Sequence, residues 1–346
     1  MRKTVTISDI ANALGLSRNT VSKALNGQYV MPKTKQLIIS TAIKMGYKNY
    51  DLISNNTALL QKRILILSSV PLLSSAYYIY LLNGISNEAE KNGLEVIQYV
   101  FKPNSDIEAL KNYVLQFDIN GIICIEFFND KMFMEIASLN IPTVFLDCPA
   151  CKYELNGNFD VLFSESIMST ANVCDKLIKN GIKVFSFVGN PNNSRSFNER
   201  FIGMREALFR NDLPFDKELS IISEDPETYN DVSLLANQIS ALKMPVQCFI
   251  CANDYLALKV ISALKMLNLA DFNKINVLGF DNSPESKTSD PKLSTINVNK
   301  SALGKNAVRI LINRLITKKS TCKLIYLSSY FVKRNTAPAL KNKPKY

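Results

Sequence analysis

Apolar residues fall at Ile7, Ile10, Ala11 and Leu14, an i, i+3, i+4, i+7 spacing that predicts a short helix with one apolar stripe. Thr6 and Asp9 frame its start as a capping box, and Gly15 turns the chain. Ser17 caps a second helix through Leu25, which Asn26-Gly27 stops. At steps of roughly 100° per residue, Val21, Ala24 and Leu25 share one arc of this helix, while Arg18, Asn19, Ser22 and Lys23 occupy the other. Two helices joined by a tight glycine turn suggest helix-turn-helix. A third helix is predicted from Lys33 to Met45, with Ile38, Ala42 and Met45 in register and Gly46 as its stop. Lys48 to Lys62 is polar and has no apolar stripe, so it reads as a linker.

From Arg63 the pattern alternates between apolar strands and amphipathic helices. Strands are predicted at Ile64–Ser68, Leu94–Val100, Gly121–Ile125 and Thr143–Leu146, with helices at Ser75–Asn92, Ser105–Phe117 and Asp130–Leu139 between them. A second series follows, with strands at Lys183–Val188, near Leu219–Ser223, and at Val246–Cys251 and Ile275–Phe280. Its helices are expected at Ser194–Arg210, Glu227–Leu242 and Asp254–Asn268. Each series predicts a doubly wound parallel sheet, and two such domains leave a cleft that suits a ligand.

Charge gives the two parts different partners. Residues 1–63 hold ten lysines and arginines against Asp9 and Asp51, so this segment carries +8 of the chain's +11. A basic helical module on a near-neutral body points to nucleic acid, bound through phosphates by counterion release. On the polar arc, Arg18 and Lys23 suit guanine, Asn19 suits adenine and Ser22 suits phosphate or base; the alternative is an ordinary solvated face. With 346 residues, 47% of them hydrophobic, the chain can build a small module and two core-bearing domains. No apolar run reaches the roughly 18 residues of a spanning helix, and no signal peptide precedes the capping box, so a cytoplasmic protein is expected.

Parallel sheets bind ligands at the carboxyl ends of their strands. Those ends carry Ser68 and Ser69, Glu126, Asp147, Asn190, Asn253 with Asp254, and Asp281 with Asn282. Arg200 can reach in from the helix after Asn190, and Tyr77 or Tyr78 can stack on a sugar face. Each polar strand end is equally suited to capping a helix; as a set they favour a pocket. The candidate effector set is Ser69, Tyr77, Tyr78, Glu126, Asp147, Arg200, Asn253 and Asp281. Enzyme chemistry has little support: the chain has no histidine, no G-x-G-x-x-G and no phosphate-binding loop. Two C-x-x-C spacings occur, Cys148/Cys151 and Cys248/Cys251. The second pair lies in an apolar strand whose odd offset sends the thiols to opposite faces, so buried small hydrophobes are expected and no metal or cofactor.

The chain resembles the lactose/galactose-repressor family of bacterial transcription regulators over almost its whole length. The matching stretches are VTISDIA from Val5, LSRNTVSKALNG from Leu16, KMGY from Lys44, VFLD ending at Asp147 and ERFIG from Glu199. They continue with CANDYLA from Cys251, VLGFD ending at Asp281, LSTI from Leu293 and FVKR ending at Arg334. The resemblance implies a helix-turn-helix headpiece, a hinge and a two-part core like the periplasmic sugar-binding proteins. It further implies a homodimer on a near-palindromic double-stranded operator, working at the bacterial nucleoid and controlled by a sugar-related effector. The expected organisation is a headpiece over 1–48, a hinge over 49–62, one core domain over 63–158 and 297–325, a second over 159–296 and 326–336, and a basic tail over 337–346. Carried over by motif, Arg18, Asn19 and Lys23 would read bases, and Asp147, Arg200, Asn253 and Asp281 would hold the effector. The full candidate DNA-contacting set adds Thr6, Ser17, Thr20, Ser22, Asn26, Tyr29 and Lys33. The competing reading is a sugar-binding protein with little or no regulatory role.

Three departures from the family pattern carry expectations. Where members place alanine and a leucine wedge in the hinge, this chain has Ile53 and Asn56. Asparagine offers no apolar wedge and is a poor helix former. Operator DNA is therefore expected to bend less than with a leucine-bearing relative, and Asn56→Leu to raise affinity; a gel bending assay giving a large kink with the native hinge would refute this. Lys300 stands where an aromatic from the last crossover is expected, which predicts an acidic or phosphorylated effector. The tail lacks a heptad helix, so a dimer is expected and not a tetramer.

Overall fold

The computed structural model describes residues 5–26, 28, 30–47, 62–72, 76–102, 105–150, 157–268, 274–317 and 321–340. Ile53, Asn56, Tyr29, Cys151 and the end of the tail lie outside these residues.

Helices α1 (Ile7–Leu14), α2 (Arg18–Leu25) and α3 (Pro32–Met45) form the headpiece. The capping box is present: the Thr6 amide donates to Asp9 Oδ2 (2.8 Å) and the Asp9 amide donates to Thr6 Oγ1 (3.3 Å). Gly15 ends α1 with φ 63°, a left-handed conformation that costs glycine nothing. The apolar stripes meet in one small core of Ile10, Ala11, Val21, Ala24, Leu25, Ile38, Ile39 and Ala42.

The first core domain contains β1 (Arg63–Ser68), α4 (Ala76–Lys91), β2 (Glu95–Val100), α5 (Ile107–Gln116), β3 (Ile119–Ile125), α6 (Asp130–Ala137), β4 (Thr143–Leu146) and β5 (Phe159–Ser164). The second contains α7 (Ile167–Lys179), β6 (Phe185–Val188), α8 (Arg195–Arg210), α9 (Glu227–Asn230), α10 (Val232–Ser240), β7 (Cys248–Cys251), α11 (Asp254–Met266), β8 (Asn276–Asp281), α12 (Pro284–Thr288) and β9 (Ser294–Asn297). The chain then returns through α13 (Lys300–Ile316) and β10 (Leu324–Leu327) to the first domain and ends in the second with β11 (Tyr330–Val332). The first sheet has the order β10-β5-β4-β3-β1-β2 and is parallel throughout. The second, β11-β9-β8-β7-β6, is parallel except for its edge strand β11. Helices cover both faces, as the unbroken apolar strands require. Cys248 and Cys251 are buried in β7 within the larger apolar core.

The chain departs from the sequence-based expectations in four places. Phe159–Ser164, assigned to the second domain, pairs with β4 and so belongs to the first sheet; Tyr326 and Leu327 follow it there by pairing with β5. The expected strand near Leu219–Ser223 is a 3-10 turn at Lys217–Leu219 followed by a single bridge from Ile221 to Val188. The expected helix Glu227–Leu242 is broken at Asp231, whose extended backbone and carboxylate cap α10 through the amides of Ser233 (2.7 Å) and Leu234 (3.2 Å). The supposed tail begins as core: Ala337 and Leu340 are buried, and the Ala339 amide donates to Asn276 Oδ1 (3.2 Å).

Candidate functional site

In the headpiece, α2 buries Val21, Ala24 and Leu25 and turns Arg18, Asn19 and Lys23 to solvent. The other candidates divide by what their side chains already do. The Thr6 hydroxyl donates to Asp9 (2.7 Å), Ser17 Oγ accepts from the Thr20 amide (3.0 Å), and Asn26 Nδ2 donates to Ser22 Oγ (3.2 Å). These groups hold the helix ends, leaving the longer Arg18, Asn19 and Lys23 as the reaching side chains. Lys33 is exposed at the start of α3. An exposed arc of two cations and a carboxamide on a rigid short helix can approach base edges, while the uncapped amides at its N-terminus suit phosphate.

The larger site is a cleft of about 600 Å³ between the two sheets. It opens at the carboxyl ends of the strands, and Tyr77, Tyr78, Glu126, Asp147, Arg200, Asn253 and Asp281 all line it. Three of these end their strands in a positive-φ backbone: Glu126 (66°), Asp147 (68°) and Asp281 (116°). Such geometry is costly for residues other than glycine and turns each side chain off its sheet.

Each charged group has a distinct set of partners. Asp147 is bound across the cleft, accepting from the Cys148 amide (2.8 Å) and from the Ser196 amide at the N-terminus of α8 (3.3 Å). Arg200 is 6% exposed; its guanidinium donates to the Ala252 carbonyl, lies 3.8 Å from the ring centroid of Phe280 and is 3.8 Å from Asp281 Oδ1. Its Nε has no hydrogen-bond acceptor. Asn253 accepts from the Leu256 amide through Oδ1 (2.9 Å), so it caps α11 while lining the cleft. Asp254, beside it, accepts from the Ser283 amide (2.7 Å) and the Thr295 hydroxyl (2.5 Å).

Burial raises every one of these carboxyls. It pushes Glu126 up to about 7, with the charges of Asp147 and Asp281 adding to the effect and a hydrogen bond from Tyr78 opposing it. Asp254 rises to about 7 through burial and the neighbouring Asp281. Asp281 is raised by burial and drawn back by Arg200 and Lys300. Asp147 is raised by burial and drawn back chiefly by its bond from the Cys148 amide.

Some expectations do not survive the geometry. Ser69 does not line the cleft: its hydroxyl donates to the Glu126 carbonyl and braces the loop that carries that carboxylate. Asn190 accepts from the Asn192 amide (2.9 Å) and serves a local turn, whereas Asn282 donates to Asn297 Oδ1 on β9 (2.8 Å) and accepts from Arg334 (2.5 Å), tying the strand end to its neighbours. Lys300 is buried and donates to the Asp281 carbonyl, with its ammonium 5.1 Å from the Tyr77 ring centroid. Its ammonium is thus taken up by backbone carbonyls of the protein and is absent from the cleft lining, which removes the basis for an acidic or phosphorylated effector. The sequence reading also missed Phe128, Phe163, Phe197 and Tyr255, which complete an aromatic wall. Phe163 sits on a strand that was not predicted, whereas Phe197 lies three residues before Arg200 on a predicted helix and Tyr255 directly follows the strand-end pair Asn253-Asp254, so both were within reach.

Comparison with known proteins fits this arrangement. A family model described as a periplasmic binding protein-like domain matches residues 174–336. The HTH-type transcriptional repressor PurR of Actinobacillus pleuropneumoniae serotype 3 is 24% identical over 324 residues, covering 91% of this chain and 92% of that protein. PurR of Haemophilus influenzae strain PittEE is 25% identical, covering 90% and 92%. Among solved structures, a complex of the transcriptional regulator CelR with cellobiose superposes with a TM-score of 0.71 at 17% identity, covering 96% of this chain and all of that one. The lac repressor dimer bound to operator and the anti-inducer ONPF gives 0.65 at 22% identity, covering 96% and 99%.

Proposed function

We propose that the chain is a member of the lactose/galactose-repressor family and a sequence-specific transcriptional repressor whose hold on its operator is set by a small polar molecule, sugar-related in character, bound in the cleft. The observation that carries this is the pairing of two unconnected features in one chain. One is a basic helix-turn-helix with Arg18, Asn19 and Lys23 exposed; the other is a cleft whose polar groups come from both core domains. Arg18 and Lys23 address guanine edges and Asn19 an adenine edge, while the capped helix ends and Lys33 fix the headpiece on phosphates. One headpiece reads only a few base pairs, so two chains act together on a near-palindromic site. The protein works in the bacterial cytoplasm at the nucleoid and performs no catalysis.

The cleft controls the DNA end through differential affinity. A ligand that contacts both core domains favours their closed arrangement by the difference in its binding to the two states and by no more. The cellobiose complex of CelR, which shares this fold, supports a small polar ligand.

The experiment is selection of duplexes from a random pool by the purified full chain, followed by anisotropy on the enriched site. Arg18→Ala is expected to narrow the gap between the selected site and a scrambled duplex about ten- to a hundredfold, since one base contact is worth roughly 1–3 kcal/mol of discrimination. Equal binding of the native protein to selected and scrambled duplexes would overturn the reading.

A further inference from the structure

The polar groups of the cleft are unevenly compensated. Asp147 and Asp254 have their acceptors filled by backbone amides and hydroxyls of the protein itself. Asp281 faces Arg200 at 3.8 Å and has Lys300 on its carbonyl. Glu126 is different: its partner is the neutral Tyr78 hydroxyl, and the charged groups that act on it are the like charges Asp147 and Asp281. Glu126 also stands at the end of β3 in the first domain, whereas Asp281 stands at the end of β8 in the second. The two carboxylates repel one another across the cleft. Aromatic rings surround them, with Tyr77, Tyr78, Phe128 and Tyr255 in the same wall. Ring faces attract cations, and the Tyr77 ring already has the Lys300 ammonium beside it. A second, independent feature is the Nε of Arg200, 94% buried with its side chain and lacking an acceptor. That nitrogen is closed off from the cleft, but Arg200 itself lines the cleft beside Asp281, whereas Glu126 has no cation acting on it among the described residues.

We propose that the effector is an amino sugar, whose ammonium group binds Glu126 against the aromatic wall and whose ring hydroxyls accept from Arg200 and bond Asp281. This rests on the cleft being the effector site and names the chemistry it selects. The ammonium lies between the two domains' carboxylates, so binding removes the repulsion across the cleft and favours closure. Neutral sugars satisfy Arg200 and leave Glu126 uncompensated. Sugar phosphates bring a further negative charge into a cleft lined by five carboxylates, Glu126, Asp147, Asp254, Asp281 and Glu285, against Arg200 in the same lining and Lys300 behind Asp281.

The pH dependence has a defined sign. The groups facing Glu126 are Tyr77 and Tyr78 from α4, Asp147 after β4 and Asp281 after β8. Arg200 on α8, Asp254 on α11, Glu285 on α12 and Lys300 on α13 complete the charged surroundings. With Glu126 at about 7 in the free protein, a bound ammonium lowers its proton affinity and expels the proton. Affinity for an amino sugar therefore rises with pH up to about 7 and then levels, until the amine itself deprotonates.

The test is calorimetric titration of the full chain with glucosamine, galactosamine and mannosamine, their parent hexoses, the N-acetyl forms and the hexose 6-phosphates. At least one free amine is expected to bind about tenfold or more tightly than its parent hexose, the scale of one hydrogen bond to a charged group. Glu126→Gln is expected to erase both that difference and the pH dependence. If a parent hexose, an N-acetyl form or a phosphate binds as well as its amine, the amino-sugar assignment fails and the cleft remains the effector site. Absence of binding by every amine also overturns it. Failure of the repressor reading is registered separately, by the duplex-selection experiment.

Discussion

Replacing Arg200 with alanine is expected to weaken effector binding at least a hundredfold and to abolish the ligand's influence on operator affinity. The guanidinium is the cleft's buried cation, held by the Ala252 carbonyl and the face of Phe280, and it lines the cleft beside Asp281. Hydrogen bonds from charged groups contribute about 1.5–3 kcal/mol each, so losing two from one side chain reaches this scale. The substitution also leaves Lys300 as the remaining cation acting on Asp281, raising its proton affinity further. Operator binding without ligand should persist, because α2 and its surroundings form a separate core. Calorimetry and operator anisotropy, each with and without ligand, check both halves; unchanged ligand affinity would exclude Arg200 as a contact.

Arg314→Ala is expected to destabilise the core by about 3–5 kcal/mol, the usual cost of removing one partner from a buried ion pair. Arg314 and Asp160 are 1% and 3% exposed. The guanidinium donates to both Asp160 oxygens (2.6 and 2.7 Å), to the Phe159 carbonyl (2.6 Å) and to Asn158 Oδ1 (3.1 Å). Asp160 also accepts from the Lys323 amide (2.7 Å) ahead of β10. The pair thus joins β5, α13 and the returning strand, and the single variant strands a carboxylate inside the protein. The double variant Arg314→Met with Asp160→Leu should recover much of the loss, since apolar packing replaces such pairs at little cost. Urea unfolding measures both; a single-variant loss below about 1 kcal/mol would contradict the burial argument.

The same pair explains where sequence reading stopped short. NFDVLFS has a charge where an all-apolar buried strand was sought, and the arginine that makes that charge tolerable lies 154 residues away. Local signals were read well: Thr6 with Asp9, Gly15 and Ser17 specify their turns through neighbours three residues away, and each occupies the predicted place. The cleft residues were legible because parallel strands expose their carboxyl ends together, a rule needing only strand direction. The rule does not say which way a strand-end side chain turns. Ser69 was therefore indistinguishable from Glu126, although one braces the loop and the other faces the cleft. Lys300 was misread for a related reason: its place after the last crossover was correct, but the Asp281 carbonyl that takes its proton donor comes from another strand. The break at Asp231 was available in principle, since an aspartate followed by Val-Ser-Leu is an N-cap pattern inside a presumed helix.

The chain passes between the core domains three times: through Glu165-Ser166, Val298-Asn299 and Ser328-Ser329, two residues on each occasion. Two residues span at most about 7 Å, so the domains cannot drift apart and each stays within reach of whatever the other has captured. A ligand resting on one domain meets the second as an intramolecular partner, at an effective concentration that short tethers hold near millimolar or above. Second-domain contacts too weak to hold a free ligand are then enough to close the cleft. Lengthening all three connectors would lower apparent affinity with every contact residue unchanged.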